Sequence, residues 1–437
     1  MKELFLIKDT VANKISYYHL MLFLVSLPFD RFFSHLILIS FTLHTIIQFD
    51  KGAVKPVFTL RTLALQSVFF VTVLSTIYTI NQPEAFREWG RDIPIFLIPL
   101  LFCFNALDLK KYRPQLLLAF ALGGILTILY LYLDAFFTIR HYQLPLKNIF
   151  SHSFTNQNFT EPIDIHATFF SLQIAISLVY LLSLLIKERL TSNKMLYGIC
   201  CLILAAGIVQ LSSKSILAAL FLIINIGFPY FLLPGAQRRR FIMISVSASA
   251  LIVAVVFYSH NFRERYLTEL KEDLSHATVG ESAEPRLVRW EIAVNLIKNS
   301  PIIGYGAGSE IQLLQQRYFM KKFYRSYLNR LNSHNEYLSF TIKSGVWGLA
   351  VYLATLVYGF RKAIRKKDIV FFSFMMLVAI ISLSENILDA DKGVIFYSFF
   401  FPFFVFVSDQ KEKLITPMQR HKNLRKVATK HEVVPSL

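Results

Sequence analysis

Apolar runs of near-membrane length, separated by short polar or charged clumps, recur along most of this 437-residue chain. A helix needs about 20 apolar residues to cross a bilayer, within a range of about 17–25. On that basis about twelve membrane helices are predicted, near 15–30, 33–49, 63–80, 92–107, 115–136, 166–186, 195–211, 215–233, 241–259, 336–360, 369–385 and 393–408. The polar triplet Ser212-Ser213-Lys214 splits the block 195–233 into a hairpin. The first run, Tyr17 to Phe29, follows Lys2, Lys8 and Lys14 and ends without a small-residue cleavage site. It reads as a retained helix rather than a cleaved signal peptide.

Composition agrees with the pattern. Hydrophobic residues make up 54% of the chain, 42 residues are Phe, and only 17% are charged, whereas a soluble domain carries about a quarter charged residues. The fold class is therefore all-α: a polytopic membrane helical bundle of about 12 transmembrane helices with a large outer loop that contains helices of its own. A net charge of +18 would suggest nucleic acid in a soluble protein. Here the Lys and Arg fall in KKYR (110–113), KERLTSNK (187–194), RRR (238–240), RKAIRKK (361–367) and the C-terminal tail. With twelve helices these segments share one side, and the positive-inside bias makes it the cytoplasmic one. No nucleic-acid partner is implied. Cys103, Cys200 and Cys201 all lie in apolar runs and form no disulfide framework or metal pattern.

Three features fall on the opposite, outer side: the polar loop 137–165, the Ser212-Ser213-Lys214 turn, and the long segment 260–335. Loops of that last length are usually functional. The chain divides into an N-terminal bundle (1–194), a region with the long loop (195–408) and a basic tail (409–437), which is expected to lie disordered on the membrane surface.

Several polar residues sit where charge is costly. Ser333 followed by Glu336 fits a capping box, which would put His334 in the first turn of a membrane helix. The partial positive charge at a helix start favours the neutral imidazole, the form a general base needs. An interfacial His bonded to water fits the spacing equally. Arg286 and Arg289 flank the start of a helix predicted over Leu287–Ile297, with Trp290 one turn after Arg286; a second helix is predicted over Gln312–Leu328. Arginine suits the forked recognition of phosphate oxygens, although two solvated arginines would look the same. Gly304, Gly306 and Gly308 form a flexible turn that follows no strand, so a dinucleotide fold fits poorly. Lys214 lies between two apolar runs, either as a functional charge or snorkelling to the interface. Arg87 and Arg91 are expected on an outer loop, where they could help hold an anion. Glu385, Asn386, Asp389 and Asp391 read as an acidic outer turn that is solvated, although two acids at i, i+2 could hold a cation. His152, His166, Glu161 and Asp164 match no zinc spacing, and no metal or cofactor is expected.

The order Arg-x-x-x-Trp (Arg286 to Trp290), Pro-x-x-Gly-x-Gly (Pro301 to Gly306), then His334-Asn335 before a membrane helix with Gly345 and Gly348, resembles the O-antigen ligase and polymerase superfamily. The resemblance covers about 195–400 and includes the long outer loop and the hairpin turn, where the family usually has Ser-Arg. It implies a bacterial inner-membrane glycosyltransferase of the GT-C type, acting on the periplasmic face. Such a protein takes a glycan from undecaprenyl pyrophosphate and passes it to lipid A-core (ligases) or to another lipid-linked repeat (polymerases). It implies that His334 is the base, that Arg286 and Lys214 hold the pyrophosphate, and that Arg289, Trp290 and Asn335 contact substrate. It further implies inversion at the anomeric carbon without a divalent metal. Lys214 keeps the family's charge but loses the planar fork. A transporter of lipid-linked glycans is the reading from another class. It would place ionisable residues near the bilayer midplane, whereas the notable charges here cluster at one rim.

Overall fold

The computed structural model describes residues 6–49, 52, 54–258, 263–268, 270–271 and 285–410. Each of the twelve apolar segments is a helix. The first nine are α1 (Val11–Ser26), α2 (Arg31–Ile47), α3 (Leu60–Tyr78), α4 (Gln82–Phe104), α5 (Leu109–His141), α6 (Ala167–Lys187), α7 (Thr191–Leu211), α8 (Lys214–Leu232) and α9 (Gly235–Tyr258). The outer segment contributes α10 (Arg286–Asn299), α11 (Glu310–Met320) and the single turn α12 (Tyr324–Leu328). The chain then returns through α13 (Glu336–Arg365), α14 (Ile369–Ile381) and α15 (Asp391–Asp409). Seven of these helices, α3, α5, α6, α7, α8, α13 and α15, are long and apolar enough to cross a membrane; α2 and α14 are apolar but shorter. With no strand among the described residues, this is the architecture of a polytopic helical membrane protein. The basic tail beyond Gln410 lies outside the described residues.

Local chemistry explains the helix starts. The side chains of Thr10, Asp30, Thr59, Asn81, Asp108 and Asp368 each accept a backbone N–H of the helix that follows. These bonds satisfy donors that a helix start leaves unpaired. Between α7 and α8, Ser212 takes a left-handed backbone conformation (φ +52°) that reverses the chain within three residues.

The abundant phenylalanine lies largely at the centre. α15 packs against α4, α5, α6, α13 and α14. Its Phe396, Phe400 and Phe404 are fully buried against Phe371 and Phe374 of α14, with ring centroids 5.3 Å apart for Phe371–Phe404. A bilayer gives helices no hydrophobic drive to associate, so close packing of this kind carries the association.

Polar contacts hold both ends of the bundle. At one end Lys111 pairs with Asp9 (3.0 Å), Arg113 with Asp368 (2.6 Å) and Lys362 with Asp409 (2.5 Å). That is the end with the basic segments. At the other, Lys392 donates to the Leu27 carbonyl (3.3 Å), and Ser215 shares a hydrogen bond with Ser384.

Three expectations are corrected. α4 begins at Gln82, ten residues before the predicted start. Arg87 and Arg91 are therefore helical rather than on a loop: Arg87 pairs with Glu84 on the surface, and Arg91 points inward. The helix starts early because Asn81 caps it and because its charges find partners inside the protein. The helix predicted over Gln312–Leu328 breaks in two, where Lys322 adopts φ +60° and turns Phe323 into the small core of the outer segment. That core joins Val288, Ile292, Leu296, Leu314 and Tyr318 to Ile342 of α13. The helix after His334 is capped by Asn335 rather than Ser333, so His334 precedes the helix and is not in its first turn.

Candidate active site

α13 is broken about two and a half turns from its start. Gly345 has φ +61° and ψ −162°, inside an otherwise helical run. The break frees backbone groups that a membrane interior cannot leave unpaired. The glycine turn after α10 satisfies them: Tyr305 N–H donates to the Ile342 carbonyl (2.9 Å), Gly306 N–H to that of Lys343 (2.8 Å), and Val346 N–H to that of Pro301 (2.9 Å). A Cβ on Gly345 would fall 2.1 Å from the Ile302 carbonyl oxygen, so side chains are excluded sterically as well as by backbone angle. The Pro-x-x-Gly-x-Gly order thus plugs the outer segment into the kinked helix and sets the position of α10.

The start of α10 and the loop before α13 meet the connection between α14 and α15. His334 Nδ1 lies 2.9 Å from Glu385 Oε2, and an Arg286 guanidinium nitrogen lies 3.5 Å from Glu385 Oε1. Burial would raise the Glu385 pKa, but the hydrogen bond from His334 and the charges of His334 and Arg286 outweigh it and hold the carboxyl below its ordinary value. An ionised carboxylate only accepts hydrogen bonds. Nδ1 of neutral His334 therefore carries the proton, and Nε2 presents a lone pair. The His334 and Arg286 side chains keep 25% and 28% of their surface exposed, against 12% for Glu385. Both stay more exposed than the carboxylate they contact.

His334 itself has φ +47°, a conformation that costs roughly 1–3 kcal/mol and persists only where the surroundings impose it. Four side chains impose it. Glu310 accepts the Ser333 N–H (2.9 Å), Asn386 accepts the Asn335 N–H (2.7 Å), Asn332 accepts the N–H of His334 (3.0 Å), and the Trp290 indole donates to the Ser333 carbonyl (3.0 Å). Asn386 in turn donates to Glu310 (3.3 Å) and Asp389 (2.7 Å).

A second charged cluster lies deeper. Asp389 contacts Lys343 (2.6 Å) and Arg91 (3.1 Å), and Lys343 also reaches Glu88 (3.1 Å). Burial pushes the Asp389 carboxyl up, but Lys343 and Arg91 overcome it and hold the pKa at about 2. Lys343 is two turns inside α13, so charge is not confined to the rim.

The sequence-predicted residues divide accordingly. His334 and Arg286 converge. Lys214 stands at the first position of α8, and its neighbour Ser215 is bonded to Ser384, next to Glu385. Trp290 and Asn335 are used internally: Trp290 holds Ser333, while Asn335 caps α13, accepts from Leu338 N–H (3.1 Å) and donates to the Leu383 carbonyl (3.3 Å). Arg289 is buried, at 7% exposure, on the inner face of α10. The acidic turn read as solvated is not: Glu385 and Asn386 are buried, and Asp389 is ion-paired. Glu385 is the residue that sequence reasoning missed. Its signal was an acid in a nine-residue connection between two strongly apolar helices, a place where charge seldom stands without a role. Glu336 does not close a capping box but accepts the Leu388 N–H (2.8 Å). His166 caps α6, accepting from Thr168 N–H (3.3 Å).

A protein of Rickettsia typhi, named as a candidate polysaccharide ligase, is 31% identical to this chain over 165 residues. The match covers 36% of this chain and 38% of that relative. Residues 199–353, which carry Lys214, Arg286 and His334, match the O-antigen ligase family model, as the motif order in the sequence led one to expect.

Proposed function

We propose that this protein is a membrane glycosyltransferase that moves a glycan from undecaprenyl pyrophosphate to an acceptor hydroxyl at the outer, periplasmic face of a bacterial inner membrane. The observation that carries the reading is the Glu385–His334 pair beside Arg286. His334 Nε2 takes the proton of the acceptor hydroxyl as its oxygen attacks the anomeric carbon. The bond from that carbon to the pyrophosphate oxygen breaks, and the electron pair leaves with the pyrophosphate. Arg286 and Lys214 balance the charge of the leaving group. Glu385 keeps Nδ1 protonated and stabilises the imidazolium that forms, the division of labour seen wherever a carboxylate orients a catalytic His. One direct displacement inverts the anomeric carbon. Cationic side chains serve where other transferases use a divalent metal. Arg289 lies too deep for a first contact with substrate.

O-antigen ligation to lipid A-core is the favoured acceptor chemistry, on the similarity of residues 199–353 to the ligase family. Polymerisation of lipid-linked repeats uses the same site and is the alternative. The test is transfer from purified undecaprenyl-pyrophosphate glycan by purified protein, with both acceptors offered. Product on lipid A-core supports ligation, and lengthened lipid-linked glycan supports polymerisation. Failure to transfer to either acceptor, with donor merely moved across the vesicle wall, would replace the enzyme by a transporter.

A further inference from the structure

α10 and α11 border an open groove of about 320 Å³, lined by Ile292, Asn295, Lys298 and Asn299 of α10, Arg317 of α11 and Lys321 just after it. Three of the six lining residues are cationic and none is acidic or aromatic. Among the described residues, Lys298, Arg317 and Lys321 form no ion pair. The groove is separate from the candidate active site: Lys298 lies twelve residues after Arg286, about 18 Å along the helix axis at 1.5 Å per residue.

An apolar edge borders it. Ile302 (61% exposed) and Ile303 (53%) follow α10, while Phe319 (57%) and Met320 (72%) end α11. The turn carrying Ile302 is bonded to α13 at its kink, where Pro301 accepts the Val346 N–H. That kink is nine residues into a membrane helix, about 13 Å along its axis, beside the exposed Val346 and Trp347. The edge is thus tied to the stretch of α13 that exposes Val346 and Trp347, and the groove cations Lys298 and Lys321 adjoin it along the chain. Basic residues backed by an apolar edge are the chemistry of attachment to an anionic bilayer surface.

We propose that this groove seats the phosphate-bearing headgroup of an anionic lipid of the surrounding bilayer, with the acyl chains running past Ile302 and Met320. The bound lipid pins the far end of α10 to the leaflet, and so fixes the height at which Arg286, at its near end, meets a donor emerging from the same leaflet. Lipid capture does not depend on the transfer chemistry and is measured apart from it.

The experiment places a benzophenone amino acid at position 319 of the full chain, in vesicles of phosphatidylcholine with labelled phosphatidylglycerol. Photocrosslinking to phosphatidylglycerol is expected to exceed that to labelled phosphatidylcholine and to fall with added salt. At about fivefold per cation near an anionic surface, Lys298→Gln with Arg317→Gln and Lys321→Gln should weaken capture on the order of 100-fold. Arg238→Gln with Arg239→Gln and Arg240→Gln removes the same charge at the opposite end of the bundle and should leave the adduct unchanged. Equal crosslinking of the two lipids, insensitivity to the groove substitutions, or an equal loss in the distant triple variant would each overturn the proposal. So would displacement of the lipid by inorganic phosphate or a soluble anionic oligosaccharide, which would make the groove a site for free anions.

Discussion

Glu385 and Asp389 stand four residues apart, and each carboxylate bridges two nitrogen-bearing side chains, yet their settings differ. Glu385 holds His334 and Arg286, both about one-quarter exposed, at the mouth of the outer segment. Asp389 holds Lys343 and Arg91, which are 12% and 19% exposed, between helices of the bundle. In the first, the Arg286 guanidinium can turn to an incoming anion while Glu385 keeps its bond to His334. In the second the cations are more deeply buried, and their attraction joins α4 and α13 to the connection that carries Glu385. Asn386, bonded to Asp389 on one side and to the Asn335 N–H on the other, links the two. On the proposed mechanism, the same residue types do chemistry or hold structure according to which side of Asn386 they lie.

Substitutions should separate the two roles. The largest effect is expected at the open pair. His334→Ala removes a positioned base, worth about 10²–10⁴ in rate, while its partly exposed side chain contributes little to folding; transfer rates and thermal melts of the purified protein would show activity lost with the melt unchanged. The converse belongs to Asp389→Ala. It leaves Lys343 and Arg91 buried without their shared partner, at a cost of about 3–5 kcal/mol, and should lower the melting temperature and yield before any kinetic parameter can be compared.

A steric break sits between these. Gly345→Ala places a Cβ against the Ile302 carbonyl at a positive φ, where backbone strain alone costs about 1–3 kcal/mol. Loosening of the outer segment should be visible as faster proteolysis after α10, with the bundle itself intact. Trp290→Phe is the mildest change. It loses one hydrogen bond to the Ser333 carbonyl, worth about 1 kcal/mol, and should reduce the transfer rate several-fold without shifting the melt.

Acid sharpens the contrast. The folded pKa of Asp389, about 2, is below the ordinary Asp value of about 3.9. Its contribution to stability is therefore complete above about pH 4 and lost as pH falls toward 2. Melting temperature followed through that range should drop, and Asp389→Asn, already destabilised, should show a flatter acid limb.

Much of the fold was legible because membrane helices announce themselves by length and hydropathy. All twelve segments are helices, and the Ser212 turn divides α7 from α8 as its polarity indicated. Starts were legible only where no tertiary charge pair intervened. α4 was read ten residues short because Glu88, Arg91 and Asp92 look like loop residues until their partners on α13 and before α15 are in view. The site was half legible. His334 and Arg286 could be picked out by motif order. The capping box was a false lead because His334 reverses the chain just ahead of Asn335, an event imposed by Glu310, Asn386 and Trp290 from three distant segments. Glu385 was noticed and dismissed, since nothing within a helical turn of it reveals an imidazole 51 positions earlier.

The central claim is that Glu385 and His334 act as one acid–base unit. The most direct test is the transfer rate of Glu385→Gln, which keeps size and hydrogen-bonding capacity but removes the charge that fixes the imidazole tautomer. A loss of about 10²–10⁴ in rate, with the melt close to wild type and donor binding retained, is the predicted result. A rate equal to wild type would contradict the claim and leave the carboxylate a structural partner like Asp389.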